Sequence, residues 1–376
     1  MSASAPRLIV GIPVRNEADR IIACLQALAW QDGARIDRVV LLLNNCTDGT
    51  ANLVRAFQAE AQLHVDLHER ILPPHEAHAG QARRLVMQLC AERAEANDVL
   101  LTTDADGQVT PDWGAQNVAA LASGADVVCG RVELDPIEAA LIPAILHEDD
   151  ARECAYDRLL DEIHAHLDPD PADPLPRHTE ASGASIALTA AVYRRCGGVP
   201  AIPLGEDRAL IAALRAIGAG IRHAPDVRVI VSGRTEGRAV GGMADTIRRR
   251  LNGPDSLLDD RLEPAADCAR RAALRGFLHE AGCAPSPATR RVLADAAGID
   301  IDVLDHLLAQ PVFGLRWQAI EAAGLNLHRR RVAVSDLPSE MAAAEAICAA
   351  LRRSRVVSGS EADRDDSRAL AVAAPG

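Results

Sequence analysis

The chain predicts an α/β fold, an open and doubly wound sheet of mainly parallel strands with helices on both faces, followed by a helical appendage. Three observations predict it. Short apolar runs alternate with segments of helical apolar spacing through residue 132. Polar loops follow those runs, where open α/β sheets bind ligands. From residue 254 onward only helical spacing remains.

The first apolar run is Arg7-Leu-Ile-Val-Gly-Ile-Pro13, and after Val14-Arg-Asn-Glu17 the apolar positions Ile21, Ile22, Leu25 and Leu28 begin a helix. Arg38-Val-Val-Leu-Leu-Leu43 reads as a second buried strand. It is followed by Asn44-Asn-Cys-Thr-Asp-Gly-Thr50 and a helix carrying Leu53, Val54 and Phe57. Leu63–Leu67 is a third strand candidate, and a helix over 80–95 leads to the run Val99-Leu-Leu101. Pro111-Asp-Trp113 starts another helix, and 125–132 another strand. Residues 137–167 read as a helix or helical pair. Pro169, Pro171, Pro174 and Pro176 then make 168–178 an extended loop, either a lid or a connector. A small-residue turn at 179–185 leads to a further strand. Gly205-Glu-Asp207 opens a helix with Leu210, Ile211 and Leu214 on one face, and a last strand occupies 227–231. In the appendage, 264–281, 287–297, 300–309 and 338–353 have helical spacing.

Composition removes several functions. Every one of the 40 basic residues is arginine, so P-loop hydrolysis, protein-kinase chemistry and Schiff-base catalysis lack the lysine they normally use. A net charge of −13 argues against nucleic acid or an anionic membrane as partner. Aromatics at 2% leave few stacking platforms for bases or long glycans. The first turn lacks the Gly-X-Gly-X-X-Gly of dinucleotide folds. Nine cysteines without a Cys-X-X-Cys pair read as reduced core residues, and no signal or membrane-spanning pattern is evident. A soluble, cytoplasmic protein is expected.

The chemistry centres on Thr103-Asp-Ala-Asp106. Asp104 and Asp106, two apart as a strand ends, can face one ligand. Two hard oxygen donors suit Mg²⁺ or Mn²⁺, which fill their remaining positions with waters and phosphate oxygens, so the implied ligand is a diphosphate. Taken singly, Glu17 reads as a helix amino-terminal carboxylate, Asp48-Gly49 as a turn and Glu206-Asp207 as capping. His75 and His78 are poor zinc ligands, because Pro73-Pro74 precedes them and no third ligand is evident.

Together, Pro13-Val-Arg-Asn-Glu17, Asn44-Asn-Cys-Thr-Asp-Gly-Thr50 and Thr103-Asp-Ala-Asp106, in this order and each at a strand end, resemble the nucleotide-sugar motifs of family-two glycosyltransferases. The resemblance implies the GT-A fold and metal-dependent transfer of a sugar from a UDP- or GDP-linked donor to an acceptor hydroxyl. It makes Pro13, Arg15, Glu17, Asn45, Asp48 and Asp104 donor contacts and Asp106, with Asp104, the ligand of Mg²⁺ or Mn²⁺. Asn44 stands where the family more often has Asp. The Gly-Glu-Asp at 205–207 resembles the family's base motif, implying Asp207 as base in an inverting transfer and Glu206 as a neighbour that raises its proton affinity or binds acceptor. Inversion needs a carboxylate facing the acceptor hydroxyl, opposite the leaving group.

The resemblance further implies Arg83 or Arg84, with Arg234 and Arg238, as candidates for the diphosphate, by the bidentate fork of a guanidinium, and His223 as a weaker candidate for a third metal ligand; arginines on a solvated helix face and loop are the competing reading. The domains expected are 1–253 for the transferase, with 1–132 as nucleotide-sugar and metal half and 179–253 as acceptor and base half, then 254–353 for the helices and a disordered tail at 354–376. A small polar molecule or a lipid head group is the expected acceptor, and a homodimer through the carboxy-terminal helices the expected assembly. The alternatives are a sugar-phosphate nucleotidyltransferase, a retaining transferase and a family member that only binds nucleotide or a partner.

Overall fold

The structure, a computed structural model, describes residues 5–235, 237, 243–253, 255–282 and 284–358. Contacts divide the chain into two units, Met1–Pro143 with Pro176–Asn252, and Ala144–Leu175 with Gly253–Gly376.

The strands of the first unit, among the described residues, are β1 (Leu8–Val14), β2 (Arg38–Asn44), β3 (Val65–Arg70), β4 (Val99–Thr102), β5 (Gln108–Val109), β6 (Val127–Leu134), β7 (Ile186–Thr189) and β8 (Ile221–Val231). They form one sheet in the order β3-β2-β1-β4-β7-β6-β8-β5. β3, β2, β1 and β4 are mutually parallel, as expected, and β6 pairs parallel with β8. β7 runs against both of its neighbours, and β5 against β8. The sheet is thus mixed. The sense of β7 has a use, because the loop that precedes a reversed strand lies at the same end as the loops that follow the others. Residues 181–184 are carried there in this way.

Both faces of the sheet are buried, and the alternation along each strand shows it. Val10 and Ile12 of β1, with Leu41 and Leu43 of β2, enter one apolar cluster, whereas Ile9, Val40 and Leu42 enter another on the opposite face. Helices α1 (Ile21–Ala29), α2 (Thr50–Glu60), α3 (Ala79–Arg93) and α4 (Trp113–Ala122) follow strands in turn. Cys24, Leu25 and Leu28 of α1 bury on the first face, and Val86, Met87 and Cys90 of α3 on the second. The α/β class and the two-sided winding are as the sequence predicts. The two-residue β5 was not expected, being too short to carry a period.

Residues 137–167 are the short α5 (Pro136–Ala139) and the long α6 (Ala144–Leu167). The remaining helices are α7 (Ala190–Arg195), α8 (Glu206–Ala216), α9 (Met243–Asn252), α10 (Ala265–Ala281), α11 (Pro287–Ala297), α12 (Ile301–Leu308), α13 (Phe313–Ala323) and α14 (Leu337–Ser358). In the second unit Tyr156, Leu160 and Ile163 of α6 pack with Cys268 of α10 and Cys348 of α14. Leu274 and Leu278 of α10 pack with α11, α12 and α13.

This division differs from the expected border at 253. Residues 144–175 lie between segments of the sheet unit in sequence, yet group with the carboxy-terminal helices. The sequence shows α6 as a helix but not which core its apolar face joins. The proline-rich loop begins on a fixed point, since the buried Asp168 pairs with Arg275 and, at 3.3 Å, with His279. α14 runs to Ser358, past the expected start of the tail, and residues 359–376 lie outside the described residues. No helix among the described residues is long and apolar enough to cross a membrane.

Candidate functional site

At the carboxyl ends of β1, β2 and β4 the first unit has a cleft of about 630 Å³. Asp104 and Asp106 line it, and so does Asp207. Pro13, Arg15, Glu17, Arg83, Glu206 and Arg234 line it as well. The structure therefore gathers nine of the residues singled out from the sequence in one cavity, and their partners differ from what was expected for several.

Asp106 is desolvated. Burial, with the carboxylates of Asp104 and Glu17 adding to it, pushes its pKa up to about 6 against the pull of Arg234. Such a concentration of carboxylate invites a cation, and the oxygens present are hard donors. Among the described residues, the tight three-group cluster of metal-ligating types is elsewhere, at His164, Glu263 and Cys268 of the second unit, where Arg271 already holds Glu263. Asp104 and Asp106 thus offer two carboxylates and leave other positions to waters or ligand oxygens, a set that fits Mg²⁺ or Mn²⁺.

Arg234, just past β8, supplies a positive charge. Its guanidinium makes a bidentate pair with Glu17 (2.8 and 2.5 Å) and lies 3.2 Å from Asp106. The bonds to Glu17 raise its pKa above the ordinary value. The main chain at this point is held by Glu138 of α5, which accepts from Ser232 Oγ and Gly233 N–H, each at 2.7 Å, and pairs with Arg20. Glu17 and Arg234, both expected as donor contacts, therefore face each other.

Arg83 corrects the expectation more strongly. It sits one turn into α3, a helix whose entrance is capped by His78 Nδ1 accepting from Gln81 N–H. Its guanidinium is buried and makes four hydrogen bonds. Nε donates to Glu206 (3.0 Å), Nη1 to Thr102 Oγ1 (2.7 Å) and to the Gly183 carbonyl (2.9 Å), and Nη2 to Asp104 (2.6 Å). Burial alone would lower its pKa, but the charges of Asp104 and Glu206 carry it well above the ordinary value. Two glycines make the room: a Cβ at Gly183 would lie 2.5 Å from Arg83 Cζ, and one at Gly80 2.0 Å from the Ile202 carbonyl oxygen. With four of its five N–H groups used inside the protein, Arg83 braces the site rather than offering a fork to a diphosphate. Glu206 is likewise buried, and its carboxylate is paired with Arg83.

Asp207 stands in the first turn of α8. Its Oδ2 accepts from Gly183 N–H at 3.1 Å and its Oδ1 from Arg208 N–H at 2.7 Å. These bonds fix the carboxylate at the cleft wall.

The second motif behaves otherwise. Asp48 is exposed and accepts from Ala18 N–H, Thr50 N–H and Thr50 Oγ1, so it ties the first loop to the second. Desolvation opposes ionisation there, and those bonds outweigh it to hold the pKa below the usual carboxylate range. Asn45 exchanges both amide bonds with the main chain of Leu72, at 3.0 Å each. Neither residue lines the cleft. Asn16 and Asn45 hold positive φ, at 54° and 53°, which asparagine tolerates better than most residues. Asn44 lines the cleft instead, 2% exposed, and its Oδ1 is buried without a protein partner. It is the last residue of β2, and strand alternation was the signal that could have preferred it to Asn45. Ser182 and Gly183 also line the cleft, and the small-residue run before β7 was their only trace in the sequence.

His223 is not brought to this site. It stands near the start of β8, packed edge-on against His178, and does not line the cleft. Arg238 lies outside the described residues.

Comparison with known proteins gives one sequence match of defined extent. Residues 9–161 match the model of a family described as glycosyl transferase family 2. A comparison with curated protein sequences gave no match. Among solved structures, a mannosyltransferase from Pyrobaculum calidifontis in complex with GDP-Man and Mn²⁺ is similar over 99% of this chain and 86% of its own, at 17% identity and a TM-score of 0.44. TarS 1–349 from S. aureus in complex with UDP is similar over 84% and 90%, at 15% identity and 0.43. Glucosyl-3-phosphoglycerate synthase from Mycobacterium tuberculosis, in complex with Mn²⁺, UDP and phosphoglyceric acid, is similar over 66% and 78%, at 15% identity and 0.38.

Proposed function

We propose, from the premise that residues 9–161 belong to glycosyl transferase family 2, that this glycosyltransferase moves a sugar from a UDP- or GDP-linked donor to an acceptor hydroxyl with inversion. The observation that carries the reading is the shared cleft: Asp106 and Asp207, far apart in sequence, line one cavity. Asp104 and Asp106 would hold Mg²⁺ or Mn²⁺, which when bound offsets the charge that develops on the departing diphosphate. Asp207 takes the proton of the acceptor hydroxyl, held in place for this by the N–H of Gly183. Asn44, with its buried free amide oxygen, Pro13 near the end of β1 and Arg15 just past it are positioned for the nucleoside side of the donor. The acceptor in this reading is a small polar molecule or a lipid head group. A cytoplasmic setting accords with the reduced thiols of Cys24, Cys46, Cys90, Cys196, Cys268 and Cys348.

The test is incubation of the protein with Mn²⁺ and a panel of UDP- and GDP-sugars with candidate acceptors. Release of nucleoside diphosphate supports transfer, and NMR of the product's anomeric proton reads inversion. Consumption of pyrophosphate without diphosphate release would point to nucleotidyl transfer and overturn the reading.

A further inference from the structure

Arg83 is chemically unlike the other cleft residues, because it touches both ends of the site at once. Asp104 belongs to the loop after β4 and Glu206 to the first turn of α8, and a single guanidinium bonds to both, at 2.6 and 3.0 Å. The same group holds the Gly183 carbonyl, and the N–H of Gly183 holds Asp207. Every segment that carries a candidate reacting carboxylate is therefore one or two bonds from this side chain.

We propose that Arg83 is the positioning residue of the cleft: it sets the distance between the cation-binding loop and the base-bearing helix by clamping Asp104, Gly183 and Glu206 together. This rests on the transferase reading only for its kinetic consequence. The planar fork matters because its nitrogens diverge, and a single ammonium cannot reach two carboxylates, a hydroxyl and a carbonyl set around it. The clamp also accounts for the two glycines, since a side chain at Gly183 would displace the guanidinium and one at Gly80 would push α3 off residue 202. A misplacement of reacting groups by about 1 Å costs on the order of a hundredfold in rate, without requiring weaker binding of the donor.

The experiment compares wild type with Arg83→Lys, Arg83→Ala and Glu206→Gln. Amide hydrogen exchange is read first, because it does not depend on activity. Expected is exchange faster by about tenfold at residues 182–185 and 206–210 in the Arg83 variants, with strand 38–44 unchanged. Equal exchange at those segments, or a uniform rise across the sheet, overturns the proposal even if no sugar transfer is found. With any donor that wild type turns over, Arg83→Lys is expected to lower kcat about a hundredfold with KM for the donor within about threefold. Added guanidinium ion should restore Arg83→Ala by about tenfold. A rise in KM with kcat unchanged would make Arg83 a donor contact and overturn the proposal. Should Arg83→Ala not fold, Glu206→Gln keeps the Asp104 bond and is expected to show the same selective loss at 206–210, its absence again counting against the clamp. Wild type inert toward every nucleotide sugar refutes the transferase reading alone.

Discussion

Two arginines in the cleft each join carboxylates from distant parts of the chain, and they do so in different ways. Arg83, its side chain 6% exposed, spends bonds on a hydroxyl and a carbonyl as well as on Asp104 and Glu206. Arg234, 21% exposed, is held chiefly through carboxylates, Glu17 and Asp106. A guanidinium anchored to main chain and hydroxyl is part of the architecture. One held through carboxylates alone is a counter-ion, and another cation can displace it. Arg83 belongs to the frame of this site, and Arg234 to the charges that balance it.

The largest effect expected belongs to neither arginine but to the carboxylate that the first of them helps to position. Asp207→Asn should lower turnover by about a thousandfold with nucleotide binding intact, measured by diphosphate release beside calorimetric titration with UDP or GDP. Turnover within about tenfold of wild type would mean that the base is elsewhere. Next, Arg83→Ala should cost about 4 kcal/mol of stability in denaturant melts, because it strands the buried Glu206 and leaves Thr102 Oγ1 and the Gly183 carbonyl unpaired, whereas Arg234→Ala strands the buried Glu17 but no main-chain partner and should cost about 2 kcal/mol. Equal costs would break the distinction between brace and counter-ion. Third, Arg234→Gln should strengthen binding of Mn²⁺ alone by about fivefold, read from the free-ion paramagnetic resonance signal, since one competing charge has left Asp106. Weaker binding would show that Arg234 organises the carboxylates instead of shielding them.

The smallest effect lies at the far end of β4, outside the cleft. Arg7 and the N–H of Glu95 hold Asp98, and although burial opposes ionisation, these bonds keep its pKa below the ordinary range. A carboxylate depressed on folding adds stability that is complete at neutral pH and fades as pH falls through the folded value. Asp98→Asn should therefore melt below wild type at pH 7, with the gap closing below about pH 4. A gap that persists in acid would assign the effect to lost shape, not charge.

Much of this could be read from the residues. Apolar runs with period two on both faces located β1, β2 and β4, because a strand covered on each side leaves an unmistakable string of Val, Leu and Ile. The acidic loops were legible because they stand where such runs stop. What the sequence withheld was pairing. Nothing in Gly80-Gln-Ala-Arg-Arg84 tells that the first arginine turns inward to two carboxylates while Arg84 reaches only the Val199 carbonyl. Asn45 and Asp48 fit a donor motif in sequence, yet their bonds are spent on the chain itself. α13 went unseen although Phe313, Trp317 and Ile320, at i, i+4 and i+7, form one stripe, because Leu315 lies on the opposite side and the buried Arg316 interrupts the apolar face. The sense of β7 depends on pairing with a strand more than eighty residues earlier, and the allegiance of α6 on packing with α10 and α14, about a hundred residues and more further on.

The seam that β7 makes is narrow: four residue pairs with β4 and three with β6. Across so short a suture, few ladder bonds hold the segment bearing Gly183 against β4, so its place at the cleft leans on the bonds that Arg83 makes to Gly183 and Glu206.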